Sequence, residues 1–408
     1  MRSHENNASG DMAMKREGLG ATMPGRFDFG LSEAQEMRAA RLHRESIVFD
    51  MISQGPGGAI FDAYPQELKP DLEERMSAAE NDYAACTEAR RWPLELSRLG
   101  KSHLLRDWYE IGGLTCAARD VPVHDGSDPR ILKSEERARR NAEIPWLRYV
   151  TTAAEIREAK RTGVVAMYAN YQPATPAPRD LKAFDSAYGR GLRSFMLTYN
   201  RMDHIGVGCT ERVDAGLSMF GVDVVRHCNE LGMIVDVSHC GHLTTMDACR
   251  HSEQPVTANH TSARSIHAHA RSKSDEALRA IADTGGIIGV VAVPSFISSE
   301  STPTINRMLD HFDYIANLVG WRHVAIGTDW PLSAPEDALV KAFAGESTMG
   351  HGFRKEDRLD FTQPLLGFSG CRDLPNITRG LVKRGYSDEQ IRGILGQNAL
   401  RVFEAVCG

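Results

Sequence analysis

The strongest constraint on this chain is rhythmic: from residue 45 onward, short apolar runs alternate with amphipathic segments. Residues 47–52, 113–117, 164–169, 192–198, 233–237, 255–259, 287–293 and 324–328 read as eight buried strands. Between the later runs, residues 215–231, 242–251, 275–283 and 305–318 carry apolar side chains at three and four spacing and read as helices. Eight strands alternating with helices predict a (β/α)₈ barrel, for which a length of 408 residues leaves room for insertions. A doubly wound open sheet has the same alternation. Polar residues that repeatedly follow the strands favour the barrel, whose chemistry sits at the strand ends.

Segments 53–111 and 118–162 exceed ordinary barrel loops. Residues 67–75, 78–99 and 134–142 have the composition of helices and are expected to cover one face. Residues 1–44 are read as an N-terminal arm, 1–31 lacking any period, and 45–408 as the barrel domain. After Asp329 the chain passes Pro331, Pro335, Gly345, Gly350 and Gly352 without periodicity, which predicts a long rim loop before closing helices from Asn376 onward.

A net charge of −6, from 48 basic and 54 acidic residues, gives no field drawing the chain to nucleic acid or an anionic membrane. No apolar stretch has membrane-spanning or signal-peptide length. The eight cysteines lack a CxxC spacing, several lying in apolar runs where a reduced thiol packs well. A soluble, cytoplasmic protein is expected.

His239 closes the run 233–239 and His260 closes 255–260, so two imidazoles stand at one rim. Neutral imidazole is a common zinc ligand, and a catalytic site needs about three protein ligands with a position left for water. Asp329, after the strand 324–328, is the third candidate, as ligand or as proton acceptor for water. Each alone has an ordinary explanation, a buried hydrogen-bonded histidine or a capping aspartate. Three together on strand ends point to a site. Arg271, in a loop beyond His260, offers a guanidinium for a substrate carboxylate, although a single arginine is by default a surface residue. His267 and His269 sit in the same polar loop and are read as exposed or hydrogen-bonded.

The stretches Leu197-Thr198-Tyr199-Asn200, Gly208-Cys209-Thr210-Glu211-Arg212-Val213-Asp214 and Val235-Asp236-Val237-Ser238-His239 resemble the renal (membrane) dipeptidase family, peptidase family M19. So do Asn259-His260-Thr261-Ser262-Ala263-Arg264, Gly327-Thr328-Asp329 and the ending from Gly396 to Phe403. The resemblance runs from about residue 45 to the C-terminus. It implies an amidohydrolase-type barrel with two zinc ions that hydrolyses dipeptides and related amides, often as a homodimer. His239 and His260 match ligands of the second metal, Asp329 the catalytic aspartate, and Arg271 the arginine that holds the substrate carboxylate.

The other half of the centre departs from the family. A first-strand His-x-Asp is replaced by Ile52-Ser53-Gln54, and the bridging glutamate by Gln172. Tyr199 stands where many members carry a histidine that polarises the scissile carbonyl, and its hydroxyl can donate to an oxyanion. Zero or one zinc per chain is therefore expected, held by His239 and His260 with Asp329 or water. Asp50 and Cys240 are lesser substitutes. The first reading is a mononuclear hydrolase of an amide or related C–N bond in a small carboxylated molecule. The alternative is a non-hydrolytic isomerase or lyase, or a small-molecule-binding barrel, with Gln54, Gln172 and Tyr199 as substrate contacts.

Overall fold

The computed structural model describes residues 27–121, 123, 140–172, 177–343 and 352–408. Among them are nine strands: β1 (Phe49–Asp50), β2 (Cys116–Asp120), β3 (Leu147–Tyr149), β4 (Val165–Tyr171), β5 (Leu192–Met196), β6 (Ile234–Asp236), β7 (Thr257–Thr261), β8 (Ile287–Val290) and β9 (Val324–Ile326). Every pairing is parallel. Because β1 pairs with both β2 and β9, and β2 also pairs with β4, the sheet closes into the expected (β/α)₈ barrel. The three-residue β3, too short to give an alternation, lies along the first half of β4. The N-terminal ends of the strands are filled by Phe49, Tyr168 and Phe403, whose rings meet edge-on or tilted at 5.4 to 6.2 Å. Phe403 comes from the last helix, Asn398–Cys407.

Helices His242–His251 and Asp275–Asp283 fall where the apolar spacing places them. The helix expected from residue 215 starts at Met219, because the Ser218 hydroxyl accepts the Gly221 amide at 2.9 Å and fixes the N-cap there. It ends at Gly232, whose φ of +76° suits a left-handed cap. In the first insertion, helix Asp82–Arg98 is capped by Asn81 and buries Cys86, Ala89, Trp92 and Leu96. The expected helix at 134–142 and the loop glycines Gly345 and Gly350 fall largely outside the described residues. Within the expected rim loop, residues Glu336–Ala342 form a helix over the insertion.

Part of the expected arm is folded. Residues Glu33–Glu45 form a helix with a Ser32–Gln35 capping box, burying Ala39, Leu42 and His43. His43 is locked between Thr378 Oγ1 at 2.7 Å and Gly112 O at 2.8 Å. Among the described residues, no helix is long and apolar enough to cross a membrane.

One irregularity bears on the barrel mouth. Pairing of β7 with β8 shifts register between Ala258 and Thr261, a bulge that contains Asn259 and His260. Opposite the bulge stand Gly289 and Gly327, where an added Cβ would lie 2.0 and 1.8 Å from the Asn259 carbonyl oxygen.

Candidate active site at the barrel mouth

His239 follows β6, and His260 lies within β7 rather than after it. Both rings are buried, and their Nε2 atoms lie 2.9 Å apart. His239 Nδ1 meets Asn200 Oδ1 at 2.6 Å, and His260 Nδ1 meets Asn259 Oδ1. An amide oxygen only accepts, so each Nδ1 carries the proton and each Nε2 keeps its lone pair. Burial, reinforced by Arg271, holds both imidazoles well below the usual histidine range and therefore neutral. Two bare lone pairs facing each other repel unless a cation lies between them.

Asp329 Oδ2 stands 3.7 Å from His260 Nε2. Its backbone is in the left-handed region, with φ of +49°, and its amide donates to Ile52 O at 2.9 Å. Burial pushes the carboxyl up to about 6, opposed by the hydrogen bond from Gln54 Nε2 to Oδ1 at 2.5 Å. Gln54 Oε1 accepts in turn from Arg90 Nη2, a residue of helix Asp82–Arg98. Tyr199 stacks on His239 with centroids 4.1 Å apart and planes 19° apart. Gln54, Asp329, His260, His239 and Tyr199 thus form one continuous line across the mouth. Among the described residues, Gln172, after β4, has a buried Oε1 without a hydrogen-bond partner and no hydrogen bond to that line.

Several expected contributors stand elsewhere. Arg271 is 1% exposed, with Nη1 donating to Ser238 O and Nη2 to His260 O at 3.2 Å. It ties together the backbones behind the two histidines, and its buried Nε has no hydrogen-bond partner among the described residues. Asp50 accepts from Thr328 N at 2.8 Å and Thr328 Oγ1 at 2.6 Å, so both oxygens are spent on orienting the segment before Asp329. Cys240 accepts from Thr198 Oγ1 at 3.3 Å. His267 and His269 reach the Ser295 and Asp357 carbonyls, consistent with their reading as hydrogen-bonded loop residues.

Four residues at the mouth carried no expectation. Asn200 and Asn259 orient the histidines, and both lie in the quoted motifs beside residues that were singled out. Arg90 is one of many charges on an insertion helix and gives no local signal. Asp120, at the end of β2, opens to solvent at the same mouth and accepts from Asn170 Nδ2 at 2.9 Å.

Residues 133–339 and 358–407 match the membrane dipeptidase family, peptidase family M19. The chain belongs to that family. By membership, this M19 protein is a metal-dependent hydrolase. An amidohydrolase from Pseudomonas aeruginosa shares 26% identity and superposes with a TM-score of 0.69, over 91% of this chain and 99% of that one. The probable dipeptidase PvdM from Pseudomonas aeruginosa gives 0.64 at 18% identity, over 92% and 99%. A metallopeptidase from Rhodobacter sphaeroides liganded with a phosphinate mimic of the dipeptide L-Ala-D-Ala gives 0.61 at 18%, over 89% and 100%. The last two bear on the fold alone.

The M19 site can be tested for metal from its own donors. Two neutral imidazoles with Nδ1–H fixed by asparagine and both lone pairs aimed at one point fit a divalent ion such as zinc. Among the described residues no cluster of three His, Cys, Asp or Glu side chains has ligand geometry, so the pair would share its ion with water or substrate. A first metal does not fit. Ile52 is apolar and buried, Gln54 is committed to Asp329 and Arg90, and Gln172 offers only a neutral amide.

Proposed function

We propose that this M19 member is a hydrolase of an amide or related C–N bond in a small carboxylated molecule, using at most one tightly bound metal. The observation that carries the reading is the convergence of two neutral histidine Nε2 atoms beside the buried carboxylate of Asp329. His239 and His260 would hold the ion, which when bound supplies Lewis acidity next to the scissile carbonyl.

The chain's own groups account for the remaining chemistry. Asp329 accepts a proton from water as the water oxygen bonds to the carbonyl carbon, and returns a proton to nitrogen as the C–N bond breaks. Gln54 fixes Oδ1, which leaves Oδ2 on the His260 side for that exchange. Tyr199, oriented by stacking on His239, donates its hydroxyl to the oxygen that gains charge. Arg271 keeps the two histidine loops at fixed separation, and Gln172 supplies an amide to the substrate.

The test pairs metal analysis with turnover. Purified protein is assayed for zinc, manganese and iron, then for release of free amine from dipeptides, N-acyl amino acids and cyclic amides. About one ion per chain and hydrolysis in one of these classes is the expected result. Metal near zero after soaking in zinc would overturn the metal-dependent reading, and two ions per chain would overturn the single-site assignment.

A further inference from the structure

Arg90 brings a charge to the edge of the site that no ion pair among the described residues neutralises. Its helix lies outside the barrel strands, yet the guanidinium reaches the end of β1 and donates to Gln54 Oε1, a neutral acceptor. No carboxylate of the described residues forms an ion pair with it, although a guanidinium carries five donors and a permanent charge. A cleft runs from this point between the insertion and the barrel wall, lined by Gln54, Arg90, Arg119, Asn141, Tyr149 and Ser333. Arg119 makes no hydrogen bond or ion pair with the described residues, so a second cation faces the same space. Asp120 is the acidic neighbour at this mouth: it accepts from Asn170, and both guanidiniums act on its carboxylate through space.

Arg271, by contrast, has both Nη atoms on backbone carbonyls and is closed to solvent. Of the two arginines that bear on the site, Arg90 is the half-buried one that lines the cleft, whereas the unpartnered Nε of Arg271 is buried. Arg90 stands one hydrogen-bonded side chain away from Asp329. It also reaches Gln54, the position at which the family resemblance puts a ligand of the first metal.

We propose that Arg90 and Arg119 form a carboxylate-binding subsite, so that a guanidinium from the insertion anchors the substrate where a first metal does not fit. This rests on the hydrolase reading for its location but not for its test. A planar guanidinium holds a carboxylate through paired donors, which positions the adjacent C–N bond against Asp329.

Binding of N-acetyl-L-alanine and of its neutral amide, N-acetyl-L-alanine amide, is measured by titration calorimetry on the whole chain. Wild-type protein should favour the acid by about tenfold or more, as expected of a charge-assisted pair. Arg90→Gln should bring the two affinities within about twofold. Arg119→Gln should reduce the preference, and Arg271→Lys should leave it in place. Thermal melts check that each variant folds; should Arg271→Lys not fold, the Arg90 and Arg119 variants decide. No preference in wild-type protein, or a full preference in Arg90→Gln, overturns the subsite. A preference without hydrolysis of any amide sinks the hydrolase reading alone, and hydrolysis without a preference sinks the subsite alone.

Discussion

His239 Nε2 faces His260 Nε2 at 2.9 Å, each ring held from behind by an asparagine oxygen. If a single ion joins them, His239→Ala and His260→Ala should each reduce bound metal to background by elemental analysis while the thermal melt shows a cooperative transition. A variant that keeps its metal would remove that histidine from the ligand set.

Asn200 sets the tautomer of His239 from the loop after β5. Its replacement in Asn200→Ala should weaken zinc by about 10- to 100-fold, the usual effect of losing an outer-shell partner. Competition against a chromophoric chelator reads this without any substrate.

Asp329 is placed to move a proton rather than to bind metal alone. On whichever amide the wild-type protein hydrolyses, Asp329→Asn should lower kcat by about 10²- to 10⁴-fold with metal content unchanged. Loss of metal in parallel with activity would make it a ligand first.

His43 gives a pH test away from the site. Burial pulls it down to about 4 from an ordinary value of 6.5, so between those values the unfolded chain binds the proton that the folded chain refuses. Its contribution to stability is therefore complete above about pH 6.5 and declines as pH falls toward 4. Asp50, pushed up to about 7 by burial, acts in the opposite sense, so the measurement is a difference between variant and wild type. His43→Gln should cost stability at pH 7.5 and progressively less toward pH 4.5, a change on the order of 3 kcal/mol in urea denaturation. A constant difference across that range would contradict the buried neutral imidazole.

Trp92 anchors the insertion helix, stacking on Phe61, meeting Tyr64 edge-on at 4.7 Å and donating to Asp71 at 2.7 Å. Trp92→Ala should destabilise the fold by about 3–5 kcal/mol. It should also blunt the carboxylate preference, because the same helix carries Arg90. A stability loss with the preference intact would mean that the helix stays docked without Trp92.

The barrel was legible because apolar runs report burial directly, and His239 and Asp329 were legible because they follow such runs. Asn200 and Asn259 were in view but silent, since an asparagine acquires meaning only from the ring it meets. The helix Glu33–Glu45 carried its own signal in the Ser32–Gln35 box, which the aperiodic residues before it obscured. Arg90 could not be found locally: its position depends on how Trp92, Phe61 and Tyr64 seat an insertion against the barrel. Arg271 was legible as a residue type, but only tertiary structure reveals that its two Nη atoms meet backbone carbonyls behind the histidines.

The bulge in β7 has a consequence for where the aim of His260 is written. The Asn259 carbonyl turns into space that exists only because β8 and the segment after β9 each lack a side chain there. A single methyl at Gly289 or Gly327 would push that carbonyl out and swing the next residue's ring off its partner. The direction of a candidate ligand is thus specified by two hydrogen atoms on neighbouring parts of the chain, at positions that no inventory of reactive side chains would visit.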